Sequence, residues 1–363
     1  MKHETIKTAA LTLALCACTI FAFSSFASAS AAGSAEPFDP AELFTDRDME
    51  QEADLTDSVT LTLSDGQDLL IDEEGVYVIT GTAKNASVIV EADDQAKVQL
   101  VLDGVAIENE SAPCVYIKEA DKVFLTTAAD SSLSVTGSFQ ADGDVNTDGA
   151  VFSRSDLTLN GTGTLTVSST DNGVVCKDDL KITGGSYVIS AASKAIEAND
   201  SIRIADGTLD LTAGTDGLHA ENDDDDTLGW IYIGDGSLDI SAGDDAVHAL
   251  SAVQIDGGSL EITAAEGIES TYIVINDGKI GIQASDDGIN AAWKSSAYTA
   301  AIVINGGDIT VVMGSGDTDG IDSNGNLYIN GGTVDVTGGS TFDYDGQAAY
   351  NGGTIIVNGQ QVS

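Results

Sequence analysis

The chain has 363 residues, 59 acidic against 14 basic side chains, and a formal charge of −45. So acidic a surface repels phosphate and excludes nucleic acid as a partner, while outside a cell it favours divalent cations. Apart from the first 30 or so residues, no stretch is long or apolar enough to span a bilayer.

At the start, Lys2 and Lys7 precede an apolar run from Thr8 to about Phe26, which ends in Ala27-Ser28-Ala29-Ser30-Ala31. A basic start, an apolar middle and a small-residue end describe a secretory signal peptide over residues 1–31, so the mature chain is expected to be secreted or at the cell surface. Lipid attachment at Cys18 is the alternative. Residues 32–55, with Pro37, Pro40 and many acids, read as an acidic linker or loose cap. Residues 56–363 read as one domain.

Between residues 143 and 156 the sequence is GDVNTDGAVFSRSD. Asp144, Asn146, Asp148 and Gly149 fit the first half of an EF-hand calcium loop, but the twelfth position holds Ser155 instead of a bidentate Glu. Strand-like residues flank the loop, so a calcium turn in a β architecture is the expectation.

From residue 157 one phrase recurs: LTLNGTGTLTV, LKITGGSYVI, IRIADGTLDL, IYIGDGSLDI, VQIDGGSLEI, IVINDGKIGI, IVINGGDITV and LYINGGTVDV. The phrases start at Leu157, Leu180, Ile202, Ile231, Val253, Ile273, Ile302 and Leu327, with Val76, Val98 and Val123 upstream. Strict period-2 alternation argues strands, and a unit of about 22 residues argues a right-handed parallel β-helix of about 11–12 coils. Two longer steps mark insertions, from Glu221 to Gly229 and from Ala291 to Ala301. Cys114 and Cys176 then lie about two coils apart, roughly 9–10 Å, which is beyond disulfide reach and predicts two buried free thiols.

Aligning TDGLHA, DDAVHA, AEGIES, DDGINA and TDGIDS stacks Asp216, Asp245, Glu266, Asp287 and Asp319 in one column. Asp148 is expected to start that column and Asp345 to continue it. The next outward column reads Glu197, His219, His248, Glu269, Asn290 and Asp322. Carboxylates repeated every ~4.8 Å repel one another unless they are solvated or bridged by a divalent ion. Calcium, with six to eight oxygen ligands, suits such a stack. Gly314 to Asp322, containing Asp317 and Asp319, offers a second cluster. A further column of Asp256, Asn276, Asn305 and Asn330 reads as an amide hydrogen-bond ladder.

Basic residues are scarce. Lys118, Arg154 and Lys177 occupy similar places in successive coils, with Lys181, Lys194 and Arg203 close behind. Arg154, Lys177, Lys194 and Arg203 could receive the carboxylates of an acidic polysaccharide. Trp230, Tyr232 and Trp293, in or beside the insertions, could stack on sugar rings.

The stretches VQLVLDGVAIENESAPCVYIKEADKVFLT, NTDGAVFSRSDLTLNGTGTLTVSS, DNGVVCKDDLKITGGSY and DSIRIADGTLDLTAGTDGLHAEN closely resemble a bacterial family of secreted, calcium-containing β-helical carbohydrate-binding proteins. That family is similar in fold to pectate-type polysaccharide lyases. The resemblance implies calcium between turns, at Asp144, Asn146 and Asp148 and at the Asp-Gly turns of Asp216 and Asp287. It also implies binding of plant cell-wall polysaccharide, especially the acidic pectic kind. The sequence departs from the family where Lys194 replaces the turn acid and where His219 and His248 enter the outer column.

The leading expectation is a monomeric, extracellular, non-catalytic binder of polygalacturonate-like polysaccharide, with cellulose as the alternative polysaccharide and calcium as cofactor. The alternatives are a calcium-dependent lyase, with Lys177, Lys194 or Arg203 abstracting the proton α to the uronate carboxyl, and an adhesin or spacer without a sugar site.

Overall fold

The computed structural model describes residues 36–315 and 318–363. The signal peptide with Cys18, and Asp317, lie outside the described residues. Within them the chain is almost wholly strand, in one 24-stranded and one 12-stranded sheet, and all neighbours are parallel except a final hairpin at Gln360–Gln361. Each phrase contributes two strands to the larger sheet, and the segment after it contributes one to the smaller. This is the arrangement of a parallel β-helix.

The register follows the phrase starts residue by residue. Leu157 pairs with Leu180, then Ile202, Ile231, Val253, Ile273, Ile302 and Leu327 in turn. Upstream, Val98 faces Val123 but lies opposite Gly75 rather than Val76, so that phrase is offset by one residue from its expected alignment. The long strands Gly75–Lys84 and Lys97–Asn109 bend from one face of the larger sheet to the other, slipping register at Thr80/Gly81 and at Leu102/Asp103.

Alternation makes the core. Leu209, Leu211, Leu238, Ile240, Leu218 and Val247 all point inward and are buried. Each full burial of this kind contributes about 1.5–3 kcal/mol. The glycine in each phrase sits at the corner between its two strands. Gly236 has φ of 114°, and a Cβ there would lie 2.8 Å from the Gly207 carbonyl oxygen of the previous coil, so only glycine allows the coils to stack this closely. At the neighbouring corner, Asn351 donates to Asn330, Asn330 to Asn305, Asn305 to Asn276 and Asn276 to Asp256, at 2.7–2.8 Å. The expected amide ladder is therefore present. Cys114 and Cys176 are free and buried, as expected.

The segment expected as a linker or loose cap is docked. Residues 38 to 51, with a short helix at Pro40–Leu43, form a strap along the outside of the larger sheet. Phe38 stacks on Trp230 at 4.1 Å, Phe44 lies beside Tyr232, and Arg47 sits over Phe124. Asp48 is 0% exposed and receives Lys122, Lys181 and Thr158. Burial pushes its carboxyl up, but Lys122, the Thr45 N–H and Lys181 outweigh that and hold it well below the usual carboxylate range.

Candidate functional site

The smaller sheet carries the chemistry on its outward face. Its outward column runs Leu70, Ile89, Tyr116, Phe152, Val175, Glu197, His219, His248, Glu269, Asn290, Asp322 and Asp343, each paired to the next. The polar column from Glu197 to Asp322 is therefore the one expected from sequence. What the sequence reading missed is that the same column is apolar below Glu197. There Tyr116, Phe152 and Val175 form a buried cluster with Ile89 and Val145 against it.

Val145 belongs to the EF-hand-like loop. The loop turns back through a bridge between Asp142 and Val145, and Asp142 is held by Lys118 at 2.8 Å and by the Tyr116 hydroxyl at 3.2 Å. Asp144 and Asn146 are exposed. The Asn146 amide nitrogen donates to Asp148 Oδ2 at 2.8 Å, while Asp148 Oδ1 is buried with no partner. Asp148 does not start the acidic column. Gly149 pairs with Asn172, so the acid falls one residue early. Asp345 is also displaced, because Ser340 stands opposite Asp319.

The acidic column itself has a structural reason. Asp216 Oδ1 accepts the backbone N–H of Asp245 at 3.3 Å, and Asp287 Oδ1 accepts that of Asp319 at 3.0 Å. Two coils below Asp216, Asn172 Oδ1 does the same for Lys194. These side chains stitch one rung to the next, a task that needs only an acceptor.

Charge compensation then divides the column. Glu197 receives Lys177 at 2.6 Å and Lys194 at 3.3 Å. His248 Nδ1 lies 2.6 Å from Asp245 and 3.1 Å from Glu269, and Lys294 reaches Glu269 at 2.8 Å. Burial disfavours the charge on His248, but the two carboxylates raise its pKa to about 9. Burial also opposes the charge on Glu269, yet His248 and Lys294 lower it to about 2. Lys294, from the second insertion, was not foreseen.

Higher up the compensation stops. No ion pair among the described residues reaches Glu266, Asp287, Asp319 or Asp322. Burial, then the nearby Glu269, raises Glu266 to about 7, although the Asn290 amide donates to it. Burial and four neighbouring aspartates raise Asp322 to about 6. Asn290 Oδ1 and Thr318 Oγ1 are buried there without partners. This all-oxygen set, with unmet acceptors and excess negative charge, fits calcium by donor chemistry.

The residues considered for sugar contact fall in three places. Arg154, Lys177 and Lys194 flank the strand ends of the smaller sheet, just after Ser153 and Cys176 and before Ile196. Arg203, Trp230 and Tyr232 lie under the strap, where Arg203 bonds Asp179 and the Leu43 carbonyl. Trp293 stands at the insertion corner, 59% exposed, with its indole N–H on the Asn324 carbonyl. The two insertions touch there, through Ser296 on Asp226.

Comparison with known proteins agrees with this architecture. A family described as carbohydrate-binding domain-containing protein matches residues 65–343. A carbohydrate-binding domain-containing protein of Acetivibrio thermocellus is 33% identical over 130 residues, which is 34% of this chain and 46% of that protein. The chain thus spans about half the length of that relative. A solved structure described as a polysaccharide lyase-like protein from C. thermocellum, a gadolinium derivative, superposes with a TM-score of 0.50 at 24% identity. That superposition covers 78% of this chain and 98% of the other.

Proposed function

The chain belongs to the carbohydrate-binding domain-containing protein family, and on that premise we propose that it is an extracellular, non-catalytic binder of acidic polysaccharide of the polygalacturonate kind. It does so as a right-handed solenoid in which calcium bridges coil carboxylates to uronate groups. The observation that carries this reading is the uncompensated set of Glu266, Asp287, Asp319 and Asp322. Within that set the carboxyls of Glu266, Asp287 and Asp322, raised in pKa by burial and by neighbouring carboxylates, gain most from a divalent ion, and a bound ion with open coordination positions accepts a further carboxylate.

Binding is favoured over lysis by the state of the bases. A lyase needs a neutralised Lys or Arg free to take a proton, whereas Lys177 and Lys194 both hold Glu197, and Arg203 holds Asp179.

The test is retention on immobilised polygalacturonate. Calcium should support retention, and chelation should abolish it while lowering the melting temperature. Unchanged retention under chelation would remove the calcium bridge. Retention on cellulose alone would redirect the ligand class, and ultraviolet-absorbing unsaturated product would make the protein a lyase.

A further inference from the structure

The upper part of the column offers only oxygen, but two rungs in its middle offer nitrogen. His219 and His248 are paired residues on adjacent strands, and their rings stack at 4.6 Å with 13° between planes. They are the two histidines among the described residues. Both rings are more than nine-tenths buried as residues, and both are held the same way. Each Nδ1 faces the aspartate three residues earlier. His248 Nδ1 is 2.6 Å from Asp245, and His219 Nδ1 is 2.8 Å from Asp216, a short contact that is poorly directed for a hydrogen bond.

This fixes the chemistry of the other edge. Once a metal displaces the second ring proton, a carboxylate on Nδ1 keeps the remaining proton there and leaves the Nε2 lone pair to the metal, the arrangement of carboxylate–histidine–metal triads. On the outward side Glu221 brings Oε2 to 3.3 Å from His219 Nε2. Tetrahedral ligands at roughly 2.0–2.1 Å from a metal stand about 3.4 Å apart. One ligand atom from each of His219, Glu221 and His248 can be chosen so that all lie within 4.8 Å of one another.

We infer that His219, His248 and Glu221 form a binding site for a divalent transition metal of the zinc class, with Asp216 and Asp245 as its orienting partners and one position left to water. Imidazole nitrogen suits zinc, copper and nickel, whereas calcium takes oxygen. The site is therefore chemically separate from the oxygen cluster higher up the column and does not depend on the polysaccharide reading. A metal here would clamp two successive coils from outside, between the lysine-paired rungs of Glu197 and Glu269.

The experiment uses the untagged full chain in buffer saturated with calcium, so that oxygen sites are filled. Zinc is titrated by calorimetry, and cobalt is followed by its visible absorption. The expected result is one zinc per chain, with tetrahedral cobalt bands that zinc displaces. His219→Asn with His248→Asn should weaken zinc binding at least 100-fold, and Asp245→Asn about 10-fold through loss of orientation. Circular dichroism melting checks that each variant remains folded. Glu221→Gln, on the exposed side, removes one ligand without disturbing the core and should weaken zinc while preserving the melt. The inference fails if calcium suppresses zinc uptake one for one, if cobalt shows only octahedral bands, or if the folded double histidine variant binds zinc as the native chain does.

Discussion

Two halves of one strand column make opposite use of the same backbone. From Leu70 to Val175 the outward positions of the smaller sheet are apolar, and Tyr116, Phe152 and Val175 are roofed by Val145 of a folded-back loop. From Glu197 onward the same positions are acids, histidines and an amide, open to one another along the stack. The column itself stays paired rung to rung across this change, so the change of chemistry owes nothing to the fold. The solenoid sets where side chains go and leaves each rung's identity free. The first half uses that freedom to add a second small core outside the barrel, and the second half uses it to concentrate charge.

The comparison can be broken first at the apolar half. Phe152 packs edge-on to Tyr116 at 5.8 Å and is almost wholly buried. Phe152→Ala should cost about 3–5 kcal/mol, read as a fall in the denaturant midpoint. A loss below about 1 kcal/mol would mean that this half is ordinary surface.

The charged half should answer to pH instead. Glu266 and Asp322, raised to about 7 and about 6, favour the protonated folded state. Their contribution is complete below the ordinary carboxylate range and is lost as pH rises through those values. His248, raised from 6.5 to about 9, contributes fully below 6.5 and loses its contribution through 9. Glu269, lowered to about 2, opposes them only as pH falls below 4.5 toward 2. In metal-free buffer the melting temperature should therefore climb on acidification from pH 9 to about 5 and drop below about 4. Glu266→Gln should flatten the segment between about pH 5 and 7. A melting temperature that rises with pH across this range would refute the assignment.

The smallest effect sharpens the contrast through a column with neutral amides. Asn305→Ala interrupts the amide ladder and should cost about 1 kcal/mol, equally at every pH. A pH-dependent loss would show that amide stacking and charge stacking are coupled.

Much of this was legible in advance because both the core and the outward columns obey a period of two. Leu157 through Leu327 and Glu197 through Asp322 align as the sequence places them, since a one-residue slip would turn the apolar set outward. The tripeptide Thr-Asp-Gly misled at residues 147–149, where one more residue separates the glycine from the inward valine than at 215–217, so Asp148 takes a different position from Asp216. The roof of Val145 and the pairing of Lys294 with Glu269 depend on loop paths, which periodicity does not encode. The strap was least visible. Its composition is that of a linker, and its partners lie 74 to 216 residues away.

That strap alters how the molecule comes apart. In a stacked array each unit ordinarily leans on its two neighbours, and loss can spread from either end one unit at a time. Here one early stretch of polypeptide fastens to Phe124, Thr158, Lys181, Arg203 and Gln254 together. The coils between those residues are bound into a block that must release as a unit, while those beyond Gln254 remain free to fray singly. The earliest-made part of this domain is consequently the last to find its seat, because the surface that receives it is not complete until residue 254 has joined the stack.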